Sequence, residues 1–324
     1  MRCVQTCLFT ATLAAISCGC HGKTVTGRRV IPQSERPVAK DATREELLAA
    51  YNAIARNTKT LNATVELKPI AGSKYSGVIE EYHEVKAFLL AERPAEIRMI
   101  GQAPVIGKTV FDMASDGDTY RVSIPTKNKF LVGLVASERN SAKPIENLRP
   151  QHLLDALLWH EIRKEEAVTM REFNNEQGRY YVLTVLRGGY QLEVLREIWF
   201  DRSNLQVARI QSFGPKGTLL SDVSFSDWGP LDNTVTPQSS TPASSAASTT
   251  SQASAPPQPS IASFPRAILI DRPHDDYKLE MQVTRVAINE EIPADRFKLE
   301  QPSGSELVHV GENGDSKPTE TKPQ

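Results

Sequence analysis

The chain has 324 residues, and its 38 lysines and arginines nearly balance its 39 aspartates and glutamates, leaving a formal net charge of −1. This length fits one large domain or two small ones, and the balanced charge excludes the strongly basic surface of a dedicated nucleic-acid-binding protein. All four cysteines lie within the first twenty residues. The rest of the chain can therefore hold no disulfide framework, no cysteine-ligated metal site and no cysteine nucleophile.

The amino-terminal segment is typical of a secretory signal peptide. A single arginine is followed by an apolar run of about ten residues, too short to span a membrane, and then by small residues. The end of the segment resembles the lipobox of bacterial lipoprotein precursors, in which a cysteine becomes lipidated. Cys20 is the favoured lipidation site, because it follows a glycine and precedes a polar stretch, and Cys18 is the alternative. Residues 1–19 are thus predicted to be a lipoprotein signal peptide; a plain signal peptide with incidental cysteines is the other interpretation.

The residue after the lipidated cysteine indicates the destination. In lipoproteins of Gram-negative bacteria an aspartate at that position usually signals retention in the inner membrane, and neither register has one, since His21 or Gly19 follows the cysteine. The resemblance therefore implies an outer-membrane lipoprotein that faces the periplasm. Its anchor would be the acyl chains, whose buried methylenes contribute about 0.8 kcal/mol each.

A tether, a helix and a series of strands follow in chain order. Residues 20–42 are polar and predict a flexible tether. Thr43 and Glu46 have capping-box spacing before an apolar stripe, which predicts a helix that begins near Thr43. From Leu61 onward, apolar and polar residues alternate in short segments up to about residue 300, and this period is typical of an antiparallel sheet or barrel.

One further helix is expected near residues 150–159. Pro150 suits the first helical turn, and an apolar stripe follows on one face. The stripe consists of Leu153, Leu154, Leu157 and Leu158. By itself this stripe fits either ordinary core packing or the wall of a cavity.

Two segments differ in composition from the rest. Residues 237–262 consist mostly of Ser, Pro, Thr and Ala and carry no charge, so they cannot bury enough apolar surface to offset the entropy of ordering. We predict that they form a disordered loop inserted between two strands of one sheet, since long insertions cost little closure entropy. Residues 303–324 are predicted to be a polar tail.

No motif indicates catalysis, a metal or a cofactor. The histidines lack zinc-helix spacing, and His152 and His160 are interpreted as a polar helix edge rather than as metal ligands. No phosphate-binding glycine loop or nucleophile elbow is present. Glu80 and Glu81 are neighbours on a predicted strand, where they point to opposite faces and cannot act on one substrate. We therefore predict that the chain is not an enzyme and has no catalytic residue, metal site or cofactor.

An apolar loop between two predicted strands is the most distinctive feature of the chain. Gly101 and Gly107 enclose Pro104, Val105 and Ile106. Bulky aliphatic residues are unusual on a solvated turn. Either Val105 and Ile106 fold back onto the sheet edge, or they form an exposed hydrophobic hook that contacts lipid.

Together these elements resemble the LolA/LolB-like proteins of bacterial lipoprotein localisation over about residues 43–300. The shared features are the opening helix, the strand–proline–aliphatic–glycine–strand loop at Gly101–Gly107, and the segments Ile145–Pro150, Phe264–Ile270 and Ile292–Phe297. The resemblance implies a mainly β fold with helices (α+β), namely an incomplete, curved antiparallel β-barrel with a helical lid over an apolar cavity.

The resemblance also implies a function. Leu153, Leu154, Leu157 and Leu158 would line the cavity as ligand-binding residues, and Val105 or Ile106 would be a membrane hook. The protein would bind acyl chains of lipids or of lipoprotein cargo, in lipoprotein sorting or insertion, while its own lipid anchor holds it to the outer membrane. The alternative is a non-catalytic interaction protein of the cell envelope with a closed core.

Overall fold

The computed structural model describes residues 38–73, 78–136, 148–188, 191–232 and 263–310. The predicted signal peptide with Cys18 and Cys20 lies outside the described residues. So do most of the predicted tether and the whole of the predicted insertion 237–262, and the expectations about these segments stay predictions.

The described residues form one sheet of fifteen strands. The strands are β1 (Thr60–Ser73), β2 (Val78–Glu81), β3 (Val85–Glu92), β4 (Glu96–Gln102), β5 (Thr109–Ser115), β6 (Thr119–Ile124), β7 (Lys129–Leu134), β8 (Ala167–Asn174), β9 (Arg179–Arg187), β10 (Glu193–Asp201), β11 (Val207–Phe213), β12 (Leu219–Pro230), β13 (Ser263–Arg272), β14 (Tyr277–Ile288) and β15 (Glu306–Val310). Their order is β15-β7-β6-β5-β4-β3-β1-β14-β13-β12-β11-β10-β9-β8, and β2 pairs with β1.

The sheet is curved. It is also unclosed, because its edge strands β8 and β15 do not pair with each other in the described part of the chain. The pairings between neighbours in chain order are antiparallel, and so is that of β1 with β14. The predicted class, mainly β with helices and an antiparallel sheet, is confirmed. The sequence did not show how far the sheet would close.

Helix α1 (Arg44–Asn57) begins as its sequence predicts. The Thr43 hydroxyl accepts a hydrogen bond from the Glu46 amide at 3.2 Å, and the Glu46 carboxylate accepts one from the Thr43 amide at 2.8 Å. This capping box satisfies two amides that the first turn leaves without partners. Leu47, Tyr51 and Ala55 then point from α1 into the core.

The buried residues of both helices pack in one apolar core with one face of the sheet, which we call the inner face. Alternation with period two places apolar residues there: Leu89, Met99 and Met113 are cross-strand partners on three adjacent strands, and all are buried. Helix α2 (Pro150–Leu157) has the expected proline in its first turn and packs against β4 and β5. Its buried residues join α1 and the inner face in one apolar core.

The end of the described chain adds one more strand to the sheet. After β14 the chain passes over the opposite, outer face of β4, where the Arg98 guanidinium donates to the carbonyl oxygens of Arg296 and Lys298 at 2.9 and 3.1 Å. It then forms β15, which pairs with β7 in parallel and is the last strand at that side of the sheet. Residues 306–310 of the predicted polar tail thus form a strand, although most of them stay exposed. Residues 311–324 lie outside the described part, and the polar tail stays a prediction.

Candidate functional site

The candidate site is the inner face where the two helices pack, and the segment that follows α2 is hydrogen-bonded to α1 and to the sheet. We call residues 158–163 the strap. The Asn52 side chain of α1 donates to the Ile162 carbonyl at 3.1 Å and accepts from the Ile162 amide at 2.9 Å. The Tyr51 hydroxyl donates to the His160 carbonyl at 3.0 Å. Because burial raises the pKa of Tyr51 to about 12, this hydroxyl stays protonated as a donor near neutral pH.

Two arginines on the sheet hold the strap from other directions. Arg93, in the turn between β3 and β4, donates to the carbonyl oxygens of Thr58 and Trp159. Arg196 of β10 donates to the His160 carbonyl at 2.9 Å. Guanidinium groups suit this role, because each carries several donors in a fixed plane. The strap is thus tied through backbone atoms to α1 and to both halves of the sheet.

An aromatic group lies under the strap. The Trp159 indole stacks on the Tyr51 ring with 5.6 Å between ring centroids, and its edge meets Phe225 of β12 at 5.2 Å. The indole nitrogen donates to the Ala156 carbonyl at 3.1 Å. This satisfies its polar group within the core, so the indole contributes apolar contact without an unpaired donor.

Helix α2 is attached to the sheet near its amino-terminal end by His152. Its Nδ1 lies 2.7 Å from the Tyr277 hydroxyl, and the two rings are 6.1 Å apart. Burial, and then the positive charges of Arg272 and Arg149, hold the pKa of His152 well below its usual range. The sequence interpretation of a polar helix edge did not reveal this contact of the half-buried His152, because Tyr277 is 125 residues away in sequence. His160 is exposed, as that prediction expected.

The interior beneath α2 is closed in this conformation. A void of about 10 Å³ lies between α1, α2, β12 and β13. That volume holds about one water molecule, whereas ligand pockets measure about 300–1,000 Å³. The predicted ligand-binding leucines, which are Leu153, Leu154, Leu157 and Leu158, are all buried in the apolar core, and Leu157 lines this void. Their role toward a ligand stays a prediction.

The hook, residues 103–108, projects from the turn between β4 and β5. Val105 is 95% exposed and Ile106 is 73% exposed, so neither side chain folds back onto the sheet. The Gly107 amide donates to the Ala103 carbonyl at 3.0 Å, and Gly107 adopts a positive φ of 62° that closes the turn. Of the two interpretations left open by the sequence, the exposed loop is the one observed.

The outer face carries a separate groove of about 500 Å³. It crosses β1, β14, β13 and β12, and its walls carry Glu66, Glu84 and Glu280 beside Lys68, which pairs with Glu81 at 2.8 Å. Within the described residues, no group of acidic, histidine or cysteine side chains is arranged to hold a metal ion. No helix among them combines the length and apolar character needed to cross a membrane.

No protein-family model matches the chain, and neither does any curated protein. Among solved structures, the chain is similar to a LolA superfamily protein from Nitrosomonas europaea, with 12% identity, a TM-score of 0.46, and coverage of 80% of this chain and 99% of that one. It is also similar to a DUF1329 family protein from Desulfovibrio piger, with 11% identity, a TM-score of 0.46, and coverage of 78% and 94%.

A third similar structure is a domain described as an outer membrane lipoprotein-sorting protein, from Vibrio parahaemolyticus. It shows 10% identity and a TM-score of 0.44, over 78% of this chain and 95% of that one. One of these similar structures thus comes from the LolA superfamily, which the sequence also resembles. At this level of identity no residue of this chain receives a role from the comparison.

Proposed function

We propose that the protein is an outer-membrane-anchored lipoprotein of the cell envelope that binds acyl chains of lipids or lipoproteins beneath α2 and meets the membrane through the hook. The observation that carries the proposal is the exposure of Val105 and Ile106 at the tip of a closed turn. Two neighbouring aliphatic side chains held in water cost free energy that burial in lipid would recover.

The second part of the proposal is an exchange of apolar groups on the inner face. The four α2 leucines are buried there, and full burial of one such side chain contributes about 1.5–3 kcal/mol, or about 6–12 kcal/mol for the set. An acyl chain contributes about 0.8 kcal/mol for each buried methylene, so about 8–15 methylenes replace what α2 loses on leaving. A chain of ordinary membrane-lipid length can therefore take the place of the helix at little net cost.

The short length of α2 and its lack of a side-chain cap make it the element that would move. It has eight residues, and its N-cap residue Arg149 makes no side-chain capping bond. A helix this short is not stable on its own in water, so its structure depends on the packing that an acyl chain would replace. The strap, which follows α2, is tied through backbone atoms at several points, so these hydrogen bonds would hold α2 in its closed position until the strap opens.

The small volume of the interior void favours a second candidate function. With about 10 Å³ free beneath α2, the core is packed as in a protein that binds no internal ligand. In that case the protein would be a non-catalytic interaction partner in the envelope, and its surface alone would carry the function.

Uptake of a fluorescent fatty acid separates the two candidates. Saturable uptake, accompanied by faster amide hydrogen exchange in α2 and unchanged exchange in β1 and β14, is expected if the acyl chain displaces the helix. Absence of uptake, with α2 protected as in the untreated protein, would reject the carrier proposal and leave the interaction protein.

The hook is tested separately with Val105→Glu. We expect weaker association with lipid vesicles and an unchanged urea midpoint, because the side chain is exposed and has no packing to lose. Leu134→Glu is the matched control, since Leu134 is 55% exposed at the opposite edge of the sheet. Equal losses in both variants would show that the effect is one of added charge and not of the hook.

A further inference from the structure

Helix α2 meets the sheet with a polar start and an apolar end. Its start lies at the end of β13, because His152 contacts Tyr277, whose cross-strand partner Arg272 is the last residue of that strand. Its last residue, Leu157, lines the interior void together with Phe264, near the start of β13. The helix therefore lies on the inner face as an acyl amphiphile would, with a polar group at one end and apolar groups at the other.

Arg272 supplies positive charge at the polar end. Side chains of cross-strand partners lie on the same face of a sheet, so Arg272 accompanies Tyr277 on the inner face. Asp275 and Asp276 follow in the turn after β13, and the Arg272 Nε donates to the Asp275 carboxylate at 2.6 Å. A guanidinium carries four further N–H donors on its two terminal nitrogens. The Arg272 side chain is 17% exposed, so a ligand at this end of the inner face can reach them.

A second guanidinium gives this end of the inner face a positive excess. Arg149 stands directly before α2 and donates to the Val135 carbonyl at 3.1 Å, outside the helix. Besides burial, which is the larger cause, the charges of Arg272 and Arg149 lower the pKa of His152, and the two acids of the turn do not offset them. One further negative charge is therefore favourable at the place of the His152 imidazole.

The Tyr277 hydroxyl is the donor that α2 would expose on leaving. Burial raises the pKa of Tyr277, so this hydroxyl stays protonated near neutral pH. In the closed state it lies 2.7 Å from the Nδ1 of His152. When the helix moves away, the buried hydroxyl loses this partner, which is unfavourable. A carboxylate would restore the hydrogen bond and would also pair with Arg272, which a neutral imidazole cannot do.

We propose that the ligand of the inner face is a single acyl chain with an anionic end group, and that this group takes the place of the His152 imidazole against Tyr277 and Arg272. This proposal rests on the proposed function, because it takes the displacement of α2 from it, and it adds the chemical class of the ligand. The end group is a carboxylate or a phosphate, as in a free fatty acid or a lysophosphatidic acid. The acyl chain replaces the leucines, and the end group replaces the histidine.

The charge-assisted contacts set the size of the expected preference. A hydrogen bond to a charged acceptor is stronger than one to a neutral acceptor by enough to change affinity about tenfold. Palmitic acid should therefore bind about tenfold more tightly than palmityl alcohol, which has the same chain length and a neutral end. Both ligands need the same opening of α2, so the ratio of their affinities does not depend on how readily the helix moves.

The experiment measures displacement of a fluorescent fatty acid by palmitic acid, palmitoyl lysophosphatidic acid and palmityl alcohol at neutral pH. The protein is the chain from His21 onward, which keeps every described residue and carries no acyl chain of its own. Tyr277→Phe removes the hydroxyl and keeps the ring. Arg272→Gln is combined with Asp275→Asn, so that no buried carboxylate is left unpaired. Tyr51→Phe is the matched control, because it removes a buried hydroxyl that contacts the strap instead of the start of α2.

The proposal is supported if the anionic competitors are preferred, if both Tyr277→Phe and the double variant reduce that preference, and if Tyr51→Phe keeps it. The stronger of the two anionic competitors then identifies the end group. Urea midpoints establish that each variant folds, and Tyr277→Phe alone decides if the double variant does not.

Two other results would overturn the proposal in different ways. Equal displacement by palmitic acid and palmityl alcohol, or a preference that neither variant changes, overturns the end-group site and leaves the acyl carrier. If the fluorescent fatty acid itself is not taken up, the carrier fails, and the end-group site fails with it.

Discussion

Asn52→Ala is the substitution that most directly tests whether the strap keeps the inner face closed. The change removes both hydrogen bonds between Asn52 and the backbone of Ile162. Ile162 is buried, so its amide and carbonyl lose partners that water replaces poorly. An unpaired buried group costs about 1–3 kcal/mol, and because Asn52 is half-buried we take about 2 kcal/mol for the pair.

A loss of this size has two consequences if opening precedes binding. The closed state is destabilised by about 2 kcal/mol, which raises the population of an open strap about thirtyfold. Because the apparent Kd of a ligand that binds only the open state is inversely proportional to that population, uptake of a fluorescent fatty acid should tighten up to about thirtyfold. In the same variant, the free energy of unfolding measured in urea should fall by about 2 kcal/mol.

The control for this experiment is Asn62→Ala. The Asn62 amide donates to Glu290 at 3.3 Å on the exposed outer surface, so its loss removes a hydrogen bond without touching the strap. We expect little change in either stability or uptake. If Asn52→Ala destabilises the protein as calculated while its uptake is unchanged or weaker than that of the control, the strap does not control access, and the reasoning is refuted.

Three further expectations concern the core and one titrating group. Leu153→Ala should lower the free energy of unfolding by about 2–5 kcal/mol, whereas Leu134→Ala at an exposed site should change it by less than about 0.5 kcal/mol; urea titration measures both. Gly101→Val should destabilise by about 1–3 kcal/mol, because even a Cβ at this position would lie 2.3 Å from the Phe111 ring, and Gly101→Ala should show a smaller loss of the same kind by thermal unfolding. The pKa of His152 is lowered in the folded protein, so the unfolded chain binds the proton more readily. The free energy of unfolding should therefore be highest above about pH 6.5 and fall by up to about 1.4 kcal/mol per pH unit below it. His152→Gln cannot titrate and should flatten that slope.

Local rules explain the parts of the fold that the sequence predicted. The capping box at Thr43 and Glu46 is complete within four residues, and it forms as expected. Alternation of apolar residues from Leu61 onward requires only that one face of a strand be buried, and the strands follow it. Pro150 is stereochemically suited to a first helical turn, and α2 begins there.

The contacts that define the candidate site could not be predicted in this way, because they join residues that are far apart in sequence. Asn52 meets Ile162 across 110 residues, and Arg93 reaches Trp159 across 66. Asparagine in a helix and arginine in a turn are common and usually solvated, so neither residue gave a signal. The closed interior was equally hidden, because a stripe of leucines looks the same whether it lines a cavity or fills one.

The closed interior is compatible with a carrier on energetic grounds. Cavity formation in an apolar core costs about 24 cal/mol per Å³, so an empty space of about 300 Å³, the lower limit for a ligand pocket, would cost about 7 kcal/mol. That is comparable to the whole stability of an ordinary domain, about 5–15 kcal/mol. A carrier without cargo is therefore expected to fill the space with its own side chains, as the α2 leucines do. The hook has no such option, because a turn at the end of two strands has no core to fold into, and its aliphatic side chains remain exposed to water. Under the proposed function, lipid would be the surface that buries them.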